Sequence, residues 1–264
     1  MPPVYDWPQT IRPGDGAFYL LKEWTPENFN GKYSNERLTL FEGLRQSKNT
    51  VSVYLMKQLG TTEPLRNLMR NMGIDTDSRY PNGNLRVPEV PAICLGAVDL
   101  SVKEMVGAYT TFANNGTRTE PYLIQRIEDK NGTVLFQALP VEGDALPEKS
   151  NYVMVEMLRQ SGKIGNQLYS DSGGKTGTTN DFFDAWFAGY TSRLSASVWI
   201  GLDQPETIFD GAYGGDIALP IWQDVMSEAQ KVGLTFLSSE ETRYPTELHL
   251  NHLLRRGKIS KRVA

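Results

Sequence analysis

The sequence predicts an α+β fold, an antiparallel sheet flanked by helices. Three observations point there. Segments with helical periodicity fill the first part of the chain, strand-like segments follow, and an amphipathic helix comes after them. Helices and strands in separate runs favour α+β over a doubly wound parallel sheet. The strand-like segments "DAWFAGYT" and "LSASVWIGL" are rich in aromatic and β-branched residues, which suit a pleated, half-buried surface. The helical segments carry capping residues at the expected ends.

Residues 1–34 are rich in Pro, Gly and Asn and show little periodicity. They read as an extended surface segment. A helical pattern then runs from Asn35 to Leu59 and is interrupted at "QSKNT". Ser and Asn favour caps over helix interiors, so "LTLFEGLRQ" and "TVSVYLMKQLG" are expected as two helices meeting at Ser47 to Asn49. "TTEPLRNLMRNMG" predicts a short helix with Leu65, Leu68, Met69 and Met72 on one face and Gly73 past its end. Residues 75–99 look irregular. "SVKEMVGAYTTFANNG" opens with a capping box, Ser101 and Glu104, and closes at Asn115-Gly116. "PYLIQRIEDKNGTVLFQ" reads as a hairpin turning at Asn131-Gly132. "SNYVMVEMLRQSG" is helical, the two strand segments follow it, and "IALPIWQDVMSEAQKVG" is an amphipathic helix. These elements group as one domain over residues 35–232. Residues 233–264 read as a polar, basic tail, solvated and not a binding patch.

The 264 residues suffice for one large domain or two small ones, and a hydrophobic fraction of 39% allows a sizeable core. The net charge of −4 argues against a general nucleic-acid binder, which needs a basic stripe. Cys94 is the only cysteine, so an intrachain disulfide and a cysteine metal cluster are excluded. The two histidines, His249 and His252, lie in the basic tail, and no G-x-S-x-G elbow is present. Acyl-transfer chemistry would therefore need a base other than histidine. No stretch reaches the ~20 apolar residues of a membrane span, and the N-terminus has no apolar core of a signal peptide.

The segment "SGGKTGTTNDFFDAWF", from Ser172 to Phe187, carries the strongest chemical signal. A P-loop ending in Gly174, Lys175 and Thr176 would need a glycine where Tyr169 stands and a helix where strand-like sequence follows. The alternative is a K-T-G borne on a strand. Gly174 and Gly177 then leave room for a peptide-like ligand to pair with an exposed strand edge. Thr176 and Thr178 fall on the face opposite Lys175 and Gly177. Two hydroxyls on one face suit a carboxylate, a nearby lysine favours that anion, and a backbone N–H suits an oxyanion. The bland alternative is a glycine-rich edge strand with a solvated lysine. Ser47-Lys48-Asn49 is by itself an ordinary helix-junction cap. It gains weight only beside the K-T-G.

Together, Ser47-x-Asn49 and Lys175-Thr176-Gly177 resemble motifs of the penicillin-binding proteins and serine β-lactamases. "GGKTGTTNDFFDAWFAGYTSRLSASVWIGLD", "GGDIALPIW", "LTLFEGLRQSKNTVSVYLMKQLG" and "CLGAVDLSVKEMVGAYTTFANNG" are similar to the penicillin-binding transpeptidase domain, over about residues 5–232. The nearest group is the bifunctional class A type, in which a glycosyltransferase domain precedes the transpeptidase. No segment matches the deacylating-glutamate loop of class A β-lactamases, so transpeptidase is favoured.

The resemblance implies a serine D,D-transpeptidase that cross-links peptidoglycan stem peptides ending in D-Ala-D-Ala and binds β-lactams, with neither metal nor organic cofactor. Ser47 would relay a proton to the leaving amine and Asn49 would bond the substrate backbone. Lys175 would support the electrostatics, Thr176 and Thr178 would hold the substrate carboxylate beside Gly177, and the Thr178 N–H would form half of the oxyanion hole. Asn180, Asp184 and Trp186 match the family pattern and read as structural. The third family motif, S-x-x-K, has one literal match, Ser172-Gly-Gly-Lys175. One lysine cannot serve both motifs, so the nucleophile is expected to be absent, as if the chain began just after it. The first two sheet strands are then expected to be absent too, leaving the "LSASVWIGL" strand with an open edge. On this reading the chain is inactive alone, and its parent works at the outer face of the cytoplasmic membrane through an anchor this chain lacks. The alternative is a non-catalytic paralogue that binds peptidoglycan or protein.

Overall fold

The computed structural model describes residues 3–161, 172–191 and 193–232. A two-residue strand β1 (Val4–Tyr5) pairs antiparallel with β2 (Arg37–Leu38). Thr39 then caps α1 (Leu40–Arg45) through a reciprocal box with Glu42. The chain turns at Ser47 into α2 (Asn49–Leu59), which ends at Gly60 in the left-handed conformation. Helix α3 (Glu63–Asn71), a 3-10 turn at Pro91–Leu95 and α4 (Val102–Ala113) follow, α4 opening on the predicted Ser101/Glu104 box.

Beyond α4, β3 (Thr117–Thr119), β4 (Arg126–Glu128), β5 (Val134–Gln137) and β6 (Glu142–Asp144) make two small antiparallel pairs, β3 with β6 and β4 with β5. The β4–β5 pair is the predicted hairpin. Its turn is held by Asp129, whose carboxylate accepts the N–H groups of Asn131 and Thr133. Helix α5 (Glu148–Ser161) leads toward a three-stranded antiparallel sheet of β7 (Gly173–Thr178), β8 (Asp184–Tyr190) and β9 (Ser195–Gly201), in the order β7-β8-β9. Helix α6 (Gly214–Lys231) closes the described chain and carries Pro220 inside it. None of the helices among the described residues is long and apolar enough to cross a membrane.

Alternation along β8 explains the layering. Phe187 packs on Ala218, Leu219, Trp222 and Met226 of α6, with Ala196, Val198 and Ile200 of β9 on the same side. Tyr190, three residues on and therefore on the other face, packs on Val155 and Leu158 of α5 and on Tyr109 and Phe112 of α4. The sheet is thus covered by α6 on one side and by α4 and α5 on the other. Among the described residues both β7 and β9 are edge strands.

The helical half has its own core. Val53 and Met56 of α2 bury against Ile11 and Ile93. Here the structure differs from the surface segment expected at 1–34: Val4, Asp6, Ile11 and Asn28 are all buried. The segment has little periodicity because, beyond the two-residue β1 and the Ile11–Trp24 bridge, it supplies single anchors to the core around α2. The apolar stripe expected on α3 also hides a charge. Arg66 is buried and donates to Val87 O, to Thr76 O and to Asp77. The basic tail with His249 and His252 lies outside the described residues.

Candidate active site

The α1–α2 junction and the edge strand β7 meet although 128 residues separate them: Lys175 Nζ donates to Ser47 Oγ at 2.9 Å and to Thr176 O at 3.1 Å. Ser47 is exposed and has φ +53°, a left-handed backbone that costs a non-glycine residue roughly 1 kcal/mol or more. Its N–H is tied to Leu44 O and the next N–H to Gly43 O. Asn49, at the start of α2, donates its side-chain amide to Glu27 O at 2.7 Å. The tertiary fold therefore brings the predicted Ser47 and Lys175 together, with Asn49 two residues beyond Ser47 and its amide on Glu27 O.

Strand β7 presents its edge in a definite register. Thr179 N–H donates to Asp184 O at 3.1 Å. Hydrogen-bonded and non-hydrogen-bonded pairs alternate along an antiparallel ladder. Gly177 and Lys175 therefore bond across to Trp186 and Ala188 of β8, and the N–H and C=O groups of Thr176 and Thr178 face outward. Two contacts agree with this: Thr176 O accepts from Lys175, and Gly174 O accepts from Ser161 Oγ at 3.0 Å. The outer edge at Thr176–Thr178 can pair with an extended peptide, and the outward Thr178 N–H can donate to a developing oxyanion.

The hydroxyl of Thr178 accepts the Gly214 N–H at 3.0 Å. With its acceptor side taken by the first turn of α6, the hydroxyl proton is directed to another acceptor. The positive end of the α6 dipole lies at the same point, so an anion bound there gains from both. This contact requires glycine at 214, because a Cβ would lie 2.3 Å from Trp186 O and 2.4 Å from Gly177 O. Gly174 has a different reason from the one its sequence suggests. A Cβ there would meet the Phe187 ring at 2.6 Å and Ala188 O at 2.7 Å, so packing against β8 demands it and not room for a ligand.

The remaining motif residues fall as follows. Ser172 is 4% exposed and directly precedes β7, a poor place for a nucleophile. Asp184 accepts the Trp199 indole N–H at 2.8 Å, and Trp186 lies against Trp199 with ring centroids 6.3 Å apart; both hold β8 to β9. Among the described residues there is no metal-holding group of His, Cys, Asp or Glu.

Two features were not read from the sequence. Phe29, Phe182 and Tyr213 pack edge to face at 5.3 to 5.7 Å. They join the loop beside Asn49 to the β7–β8 turn and to the cap of α6. Phe182 and the preceding Asp181 both have left-handed backbone. The second feature is a buried carboxylate behind the junction. Asp6 pairs with Lys48, 2.7 Å from Nζ to Oδ2. It also accepts from Asn28, from Thr50 Oγ1 and from both the N–H and Oγ of Ser34. Burial by itself raises the Asp6 carboxyl, but the bonds from Lys48, Ser34, Asn28 and Thr50 together outweigh it and hold it well below the usual carboxylate range. The one available signal was an acid set between aromatics in "VYDWP".

Comparison with known proteins identifies the family of the chain. The family model described as the penicillin binding protein transpeptidase domain matches residues 4–227. Penicillin-binding protein 1A of Pseudomonas aeruginosa is 31% identical over 81% of this chain and 32% of its own length, and that of Aquifex aeolicus is 33% identical over 86% and 30%. The chain thus spans about a third of the length of these relatives. Among solved structures, the penicillin-binding protein PonA1 of Mycobacterium tuberculosis superposes with a TM-score of 0.73 at 27% identity, over 89% of this chain and 65% of that one. It has also been solved in complex with penicillin V. Penicillin-binding protein 1A of Haemophilus influenzae has the same fold, with a TM-score of 0.73 at 24% identity, over 90% of this chain and 40% of that one.

Proposed function

Because the chain belongs to the penicillin binding protein transpeptidase domain family, we propose that it carries the S-x-N and K-T-G half of a serine acyltransferase site. Its substrate class is the D-Ala-D-Ala end of peptidoglycan stem peptides, and β-lactams bind in the same place. The observation that carries this reading is the 2.9 Å contact between Lys175 Nζ and Ser47 Oγ beside the open edge of β7. A cation and a hydroxyl beside a strand edge with outward backbone N–H groups support this reading.

The roles follow from position. An extended peptide lies along the β7 edge beside Gly177, which adds no side chain on its face. Its terminal carboxylate is held by the Thr178 hydroxyl, with Thr176 and the start of α6 adding to the attraction. The Thr178 N–H points at the scissile carbonyl oxygen. Lys175 lowers the cost of removing the Ser47 proton, so Ser47 passes a proton toward the leaving amine. Asn49 bonds the peptide backbone. The acyl-accepting serine is not among these 264 residues in this reading, since the one S-x-x-K match ends in Lys175 itself. Loss of a nucleophile costs orders of magnitude in kcat. The glycosyltransferase domain of a class A parent, and a site of action at the outer face of the cytoplasmic membrane, belong to the same proposal.

Intact-mass spectrometry after incubation with a β-lactam tests it, with circular dichroism confirming the fold. The chain alone should gain no mass, and a chain carrying an S-x-x-K segment ahead of residue 1 should gain one β-lactam. Labelling of the chain alone would place the nucleophile among these residues. No labelling of the extended chain would leave a groove that binds without reacting.

A further inference from the structure

Lys48 stands between the two site residues Ser47 and Asn49, yet its side chain runs the opposite way, into the protein. Its partner Asp6 has 0% exposure and comes from the irregular first segment. The same carboxylate accepts from Thr50 Oγ1 at 2.8 Å. Asp6 therefore grips the chain on both sides of Asn49. Asn28, which donates to Asp6 at 2.7 Å, also accepts the Thr50 N–H at 3.4 Å. Its neighbour Glu27 takes the side chain of Asn49. Residues 47–50 are thus framed by the Asp6–Asn28 pair from behind and by Lys175 from the groove.

We propose that Asp6 is a positioning residue of this site, holding the Ser47–Asn49 junction through Lys48 and Thr50 so that Ser47 stays within reach of Lys175. The proposal rests on the acyltransferase reading for its consequence, but not for its geometry. The physical need is plain. Ser47 has left-handed backbone, which persists only where its surroundings over-determine it. Buried charge-assisted bonds on the following residues supply that constraint.

The test uses the protein with labelled lysine, reading the side-chain NMR signal of Lys175, assigned through Lys175→Arg. A diacetyl-lysyl-D-Ala-D-Ala peptide is the binding probe. Asp6→Asn should move the Lys175 signal and weaken peptide binding by about fivefold or more, with helical circular dichroism retained. Thr50→Val removes one bond of the frame and should move the signal in the same sense by less. Arg66→Met removes a buried charge far from the groove and should lower stability while leaving both readouts unchanged. If Asp6→Asn lowers stability but leaves the Lys175 signal and the affinity as in the parent protein, Asp6 only stabilises and the proposal fails. If Asp6→Asn does not fold, an unmoved Lys175 signal in Thr50→Val overturns it instead. Absence of peptide binding in the parent protein would count against the acyltransferase reading, and the Lys175 signal would still decide the role of Asp6.

Discussion

Gly214 gives its amide proton to the hydroxyl of Thr178 at 3.0 Å, joining the start of α6 to the K-T-G strand. The contact exists because α6 begins almost on the β7–β8 ladder, closer than any side chain allows. Gly214→Ala should therefore be destabilising by about 3 kcal/mol, the range of a forced overpacking, although alanine is the better helix former. Urea denaturation measures it. A neutral or stabilising result would show that α6 shifts freely, and the Thr178 hydroxyl would then not be held.

Lys175 and Ser47 should separate binding from folding. Lys175→Met removes the cation but keeps most of the stem, so the free energy of unfolding should change little, by less than about 1 kcal/mol for a partly exposed site. Affinity for a D-Ala-D-Ala peptide should fall by about tenfold or more, since the lost bonds involve a charged donor. Isothermal titration with both proteins checks this. Equal affinity would remove Lys175 from the groove.

The Asp6 carboxyl predicts a pH dependence whose sign is fixed. Its folded value is depressed, so its contribution is present above the ordinary carboxylate value of about 3.9 and is lost as pH falls toward its lower folded value. Asp6→Asn should cost about 3 kcal/mol near pH 7, since it leaves Lys48 buried without its counter-charge. The gap between the two proteins should narrow below about pH 4. Thermal unfolding from pH 3 to pH 7 shows it. A gap that widens on acidification would contradict the assignment.

Cys94 should be inert. Burial pushes its thiol up to about 12, so at pH 8 almost none of it is thiolate. Alkylation by iodoacetamide should be slow in the native protein and fast in urea. Rapid native labelling would mean that the turn at Pro91–Leu95 opens readily.

Phe187→Ala should be among the most damaging changes, at about 3–5 kcal/mol. Phe187 has 0% exposure and meets Trp222 edge to face at 5.2 Å in the core beneath α6. A loss below about 0.5 kcal/mol, the ordinary surface range, would mean that α6 is not the main cover of this face.

Local sequence was enough for what depends on neighbours along the chain. The α1–α2 break at Ser47, the Ser101/Glu104 box, the hairpin through Gly132 and the strand character of β8 all follow from caps, turns and composition. These are interactions between residues a few positions apart, so their spacing carries the information. The motif pair Ser47-x-Asn49 and Lys175-Thr176-Gly177 was legible by resemblance, and with it the family. Only the tertiary structure decided which atoms meet. It set Lys175 against Ser47, turned Lys48 inward to Asp6, gave Gly174 to packing, and aimed the Thr178 hydroxyl at Gly214. It also buried Arg66 on a helix for which only the face of Leu65, Leu68, Met69 and Met72 read as inward. Each of these joins segments with no local rule between them, and the free energy that selects them comes from burial and from satisfying polar groups removed from water.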